Sequence, residues 1–169
     1  MKGKKIEFKQ AESTKELATI RSLAKEIWPP VYSPILSEEQ LDYMMEMMYS
    51  MPVLHRETEE EGIKYYIVMK DNLPIGFTSF GPYEDGVAKL HKLYLDEKFR
   101  GNGFGRQIIE FIADKAREEG YSRLILNVNR ENAPSIAVYH ACGLKELGEV
   151  DAPIDNGFYM NDYIMGMDL

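Results

Sequence analysis

Hydrophobic positions along the chain change period several times, and each change marks an element. In KIEFK, Ile6 and Phe8 alternate with charged residues, the period-two pattern of a half-buried strand. Ser13 and Glu16 have capping-box spacing, and Leu17, Ile20, Ala24 and Ile27 then form a helical stripe. The run WPPVYSP is expected to end that helix, because Pro29, Pro30 and Pro34 lack the amide a helix interior needs. Ser37 and Gln40 make a second capping box ahead of the stripe Leu41, Met44, Met45 and Met48. Residues 56–62, RETEEEG, read as a solvated acidic turn. Two β-rich runs flank Asp71 and Asn72, which predicts a hairpin, and Gly86 ends the next turn before the strand VAKLHKLYL. A helix follows over residues 103–119, with the stripe Phe104, Ile108, Phe111, Ile112 and Ala116 and a stop at Gly120. RLILNV is a short buried strand. Pro134 and Gly143 bracket a further helix. LKELGEV and FYMNDYIMGMDL close the chain as a strand pair joined by DAPIDNG.

This order predicts an α/β (α+β) fold. A mixed central sheet of about seven strands carries about four helices packed on both faces. The middle strand, helix and strand form a right-handed parallel crossover.

The chain has 169 residues, the size of one domain, with 44% apolar and 28% charged content. Cys142 is its one cysteine, so no internal disulfide forms, as in a reducing compartment. No apolar run is long enough for a bilayer, and no apolar signal core follows the basic start MKGKKIEFKQ. A cytoplasmic location with no membrane partner is expected. The formal net charge of -8 argues against a nucleic-acid partner. It either steers a cationic small molecule or simply maintains solubility. His55 and His140 show no metal-ligand spacing, and no metal is expected.

Gly101, Gly103 and Gly105 fall within five residues at the mouth of a helix. Glycine costs conformational entropy there, so something needs to approach the main chain. A helix start offers free N–H groups and a positive dipole end, which suits a pyrophosphate, and Arg100 and Arg106 add charge. A plain strand-to-helix turn is the alternative. A Walker loop fails, because Arg106 and Gln107 follow Gly105. A dinucleotide fingerprint fails as well, because Arg106 holds its third glycine position.

The segment RGNGFG has the form R-x-x-G-x-G. It follows a strand ending LYLDEKF, and ENAPSIAVYHACGL comes about thirty residues later. Together with Asn132, Tyr139 and Gly143, this resembles the GNAT superfamily of acetyl-CoA-dependent N-acetyltransferases, with the match most specific over residues 63–147. The resemblance implies a single N-acetyltransferase domain over residues 1–169 and a sheet splayed at the cofactor slot. It implies acetyl-CoA as donor and an amine as acceptor. Leu93, Tyr94 and Leu95 would offer backbone groups to the pantetheine arm, the Leu93 amide polarising the thioester carbonyl. Arg100, Gly101, Gly103, Phe104, Gly105 and Arg106 would wrap the pyrophosphate. Asn132 would bond the pantetheine, Ser135 would reach the same arm or the phosphates, and Tyr139 would protonate the leaving sulfur.

A lysine-type amine is mostly protonated at pH 7, so a base or a chain of waters is needed. His91 stands where many relatives carry Glu, and Glu84, Asp85 and Asp162 are rivals for the role. Loss of the proton directly to water is another route. Cys142 as a covalent nucleophile is disfavoured, since lone buried cysteines usually act as small hydrophobes. For the acceptor, Trp28, Tyr32 and Tyr43 would form an aromatic wall, with Asp151, Asp155 and Asp162 to hold a cation. In a plainer reading these are core aromatics and turn aspartates. The expected function is acetyl transfer to a small cationic amine such as a polyamine. Protein N-terminal or lysine acetylation, or a non-catalytic acyl-CoA-binding regulatory role, are the alternatives. A homodimer is compatible with the edge strands.

Overall fold

The computed structural model describes residues 5–34, 36–154 and 158–169. The elements run β1 (Glu7–Ala11), α1 (Thr14–Tyr32), α2 (Glu38–Tyr49), α3 (Met51–Glu59), β2 (Lys64–Lys70), β3 (Leu73–Glu84) and β4 (Val87–Leu95). A short 3-10 turn, Glu97–Phe99, leads to α4 (Phe104–Glu118), β5 (Arg123–Asn129), α5 (Ala133–Ala141), β6 (Lys145–Ile154) and β7 (Phe158–Asp168). The strands form one seven-stranded open sheet in the order β1-β2-β3-β4-β5-β7-β6, in which β4 and β5 are the parallel pair. Among the described residues no helix is long and apolar enough to cross a membrane.

Both capping boxes form as the sequence predicts, at Ser13–Glu16 and at Ser37–Gln40. The β2–β3 hairpin turns on Asp71 and Asn72, both at positive φ, 51° and 64°, which these two residue types tolerate.

Two helical expectations are corrected. First, α1 does not stop at Trp28 but continues through Pro29 and Pro30 to Tyr32. Proline already has a helical φ, and the carbonyls left without a donor belong to Lys25 and Glu26, on the exposed side of the helix where water replaces the bond. Second, the acidic segment is mostly helix. α3 begins with Pro52 in its first turn and runs to Glu59, making five α-helices among the described residues where about four were expected. It buries only Leu54, too sparse a stripe to announce a helix.

The sheet separates two apolar layers. Ala88, Leu90, Phe104, Ile108, Ile112 and Leu126 belong to the layer under α4 and α5. Leu17, Ile20, Trp28, Tyr49, Leu54 and Phe77 belong to the layer under α1, α2 and α3. β4 changes sides between them. Its register against β3 passes from Phe80↔Leu90 to Ser79↔Lys92, which leaves His91 as an extra residue. A one-residue bulge exchanges the two faces of a strand. Ala88 and Leu90 face α4 before it and Leu95 does so after it, while Tyr94 packs with the α1 side. The same distortion ends the parallel pairing. β4 and β5 are bonded from Val87↔Arg123 to Leu90↔Leu126, and beyond that point the two strands continue unpaired. The gap between them is the splayed slot the resemblance implied.

Candidate active site

Main-chain direction in the slot follows from two hydrogen bonds. The Asp96 amide donates to the Ile75 carbonyl at 2.8 Å, and the Thr78 hydroxyl donates to the Lys92 carbonyl at 2.7 Å. Backbone polar groups leave a strand on alternate sides. Lys92, Tyr94 and Asp96 therefore face β3, and Leu93 and Leu95 face the gap. Arg100 Nη2 donates to the Leu95 carbonyl at 3.2 Å. The Leu93 amide is left pointing into the slot.

The glycine loop supplies a second set of amides beside it. Gly101 and Gly103 have φ of 79° and 78°, and Gly103 is the N-cap of α4 with no side chain bonding the first turn. A Cβ on either glycine would meet nothing within 4 Å, so the left-handed backbone is what calls for glycine there. The exposed first-turn amides and the dipole end make an anion site.

A cleft of about 830 Å³, within the usual range for a small-molecule site, brings these parts together. It is lined by Leu93, Tyr94 and Leu95 of β4, by Arg100, Gly101, Gly103, Phe104, Gly105 and Arg106 of the loop, and by Asn132, Ser135 and Tyr139 of α5. His91, Trp28, Tyr32 and Asp162 line it too. Tyr43, Glu84, Asp85 and Asp151 do not, and Asp151 is ion-paired with Arg130. Asp155 lies outside the described residues.

Burial dominates the titration of these groups. Tyr139 is 7% exposed, and its phenol is pushed well above the ordinary value, first by burial and then by Tyr32. It is therefore neutral at pH 7. Tyr32 bonds the Tyr94 hydroxyl at 2.8 Å and is pushed up to about 12 by burial. Burial also raises the Cys142 thiol, which weakens it as a nucleophile. Asp162 is raised by burial against the opposing pull of Lys89, Arg130 and Asn127. His91 is lowered to about 4 by burial and by the charges of Lys92 and Lys89, and its Nε2 has no protein partner among the described residues.

The His91 shift has a consequence for stability. Between about 4 and the ordinary 6.5, the unfolded chain binds a proton at this residue that the folded chain rejects. Its contribution is therefore present above pH 6.5 and lost as pH falls toward 4. His91→Gln is expected to flatten the fall of unfolding free energy in that window, measured by urea denaturation at stepped pH. An identical slope in both proteins contradicts the assignment.

Sequence reading missed Lys89, Lys92, Asn127 and Asn129, all of which line the cleft. In strict alternation Lys92 shares a face with Ala88 and Leu90, and only the bulge turns it away.

Residues 17–144 match the acetyltransferase (GNAT) family. Among curated relatives, the L-methionine sulfoximine/L-methionine sulfone acetyltransferase of Salmonella typhimurium is 27% identical over 86 residues, 48% of this chain and 50% of that protein. The thialysine N-epsilon-acetyltransferase of Bos taurus is 29% identical over 75 residues, 44% of each. The chain thus spans half or less of the length of these relatives. Among solved structures, the PaiA N-acetyltransferase from Thermoplasma acidophilum in complex with coenzyme A superposes with a TM-score of 0.76. It is 22% identical and covers 98% of this chain and 99% of that one.

Proposed function

Since the chain belongs to the acetyltransferase (GNAT) family, we propose that it moves the acetyl group of acetyl-CoA to the primary amine of a small molecule by direct transfer. The observation that carries this reading is the unpaired β4–β5 gap opening beside the uncapped start of α4 within one cleft.

The pyrophosphate sits on the amides of the Gly101–Gly105 loop, with Arg100 and Arg106 at its edge. Asn132 uses its Oδ1 to cap α5 through the Ser135 amide at 3.3 Å, which leaves its amide nitrogen for a pantetheine carbonyl. The amine nitrogen attacks the thioester carbon, and the Leu93 N–H stabilises the charge that builds on oxygen. As the C–S bond breaks, Tyr139 gives its proton to the sulfur, with Ser135 one helical turn before it on α5. The amine's surplus proton leaves through His91 or through water in the cleft. His91 is neutral at working pH, so an inflection from it belongs near pH 4.

The acceptor is a small amine. The acceptors named for the two relatives, L-methionine sulfoximine or sulfone and thialysine, are small amino-acid analogues. A polyamine draws support from the net charge of -8 and from Asp162 in the cleft. Lys89 and Lys92 in the same cleft oppose a polycation. The test is thiol release from acetyl-CoA with a panel of amino acids, polyamines, aminoglycosides and short peptides. Release with a small amine supports the reading. Release with peptides alone transfers it to protein acetylation, and silence with intact acetyl-CoA binding favours a regulatory module.

A further inference from the structure

β4 places three basic side chains within four residues, Lys89, His91 and Lys92, all on the cleft wall. They lie on the sheet face opposite α4. Leu124, Leu126 and Val128 of β5 pack on the α4 side, so Asn127 and Asn129 point the other way. Asp162 is paired with Asn129 and shares that face.

Lys92 is the unusual member. It is 6% exposed and forms no ion pair with any described carboxylate. Its ammonium lies over the Tyr49 ring at 5.3 Å from the centroid. Burial pulls the titration of Lys92 down, and Glu57, which accepts from the Tyr65 hydroxyl at 2.6 Å, opposes that through space. His91 lies beside Lys92 in the cleft, and the His91 Nε2 is buried with no hydrogen-bond partner among the described residues. A buried ammonium with no ion pair is costly. Lys92 lines the cleft beside His91, where an incoming anion would pair with it. The one buried carboxylate of the cleft, Asp162, is already under the influence of Lys89 and Arg130.

We propose that the acceptor carries a carboxylate a few bonds from its reactive amine, and that Lys92 seats this carboxylate at the β4 bulge. The substrate class is then an amino acid or amino-acid analogue. The proposal rests on the acetyl-transfer reading and names the acceptor for the same site. In the reaction the carboxylate is unchanged. It anchors the molecule while the amine is acylated.

The test uses matched probes that differ only in the carboxylate: L-lysine against cadaverine, and L-methionine against 3-(methylthio)propylamine, with spermidine as the polycation. CoA release gives kcat and KM, and calorimetry on the CoA-loaded protein gives binding without turnover. At least one amino acid is expected to exceed its decarboxylated partner by about tenfold to a hundredfold, the scale of one charge-assisted hydrogen bond. Lys92→Met is expected to erase that preference through KM and to leave the bare amine within about threefold. Lys92→Arg is expected to restore part of it. Met removes a buried charge at similar volume, so the variant is expected to melt no lower than wild type. If it does not fold, the wild-type preference and the Arg variant decide. Equal or better transfer to cadaverine or spermidine overturns the proposal, as does an equal loss for both probes in Lys92→Met. Absence of calorimetric binding by any amino acid overturns it as well. The transfer reading fails separately, when acetyl-CoA binds and no amine of any kind releases CoA.

Discussion

Gly103→Asp is expected to remove measurable acetyl-CoA binding. Gly103 sits at φ 78° as the N-cap of α4, with open space where a Cβ would stand. A side chain therefore fits sterically, and aspartate is among the residue types that tolerate left-handed backbone. The loss comes from charge. A carboxylate about 4 Å from a pyrophosphate oxygen costs on the order of 4 kcal/mol at an effective dielectric of 20, roughly a thousandfold in Kd. It also takes the first-turn amides for itself, as an N-cap aspartate does. Gly103→Asn supplies the control, with nearly the same shape and no charge, and is expected to weaken binding by about tenfold or less. Calorimetric titration with acetyl-CoA separates the two. A Gly103→Asp protein that binds within threefold of wild type removes the loop as the phosphate cradle.

Tyr139→Phe is expected to lower kcat by about a hundredfold to a thousandfold, the usual worth of a positioned proton donor. The Kd of acetyl-CoA is expected to move by no more than about twofold, since the ring and its packing on α5 remain. Burial holds the phenol protonated above its ordinary value, so the wild-type rate carries no inflection from Tyr139 below about pH 10. Stopped-flow measurement of the chemical step, paired with donor titration, reads both quantities. Wild-type turnover in the Phe variant removes the phenol from the reaction.

The glycine-loop half of the cleft was legible because its signals are local. Three glycines before an apolar stripe mark a helix start with bare amides, and Arg100 and Arg106 sit at fixed offsets from them. The Asp71–Asn72 turn and both capping boxes are equally short-range. The other half of the cleft depends on longer-range facts. α1 passes through Pro29 and Pro30 because its buried side, Ile27 and Trp28, is held by the core while the missing bonds face water. α3 exists through the context of α1 and α2, with Leu54 as its one fully buried side chain. The bulge at His91 has no signature in VAKLHKLYL, yet it decides which β4 side chains face the α1 side of the sheet. Tyr43 and Asp151, plausible by spacing, fall outside the cleft, and Asp151 is spent on Arg130. Lys92, which alternation buries under α4, stands instead in the cleft wall.

A crystal structure of the protein soaked with acetyl-CoA would locate the donor. The pyrophosphate is expected on the amides of residues 101–106, the pantetheine between β4 and β5, and the thioester oxygen within hydrogen-bond distance of the Leu93 nitrogen with Tyr139 beside the sulfur. Acetyl-CoA bound elsewhere, or a thioester lying away from the β4–β5 gap, contradicts this placement.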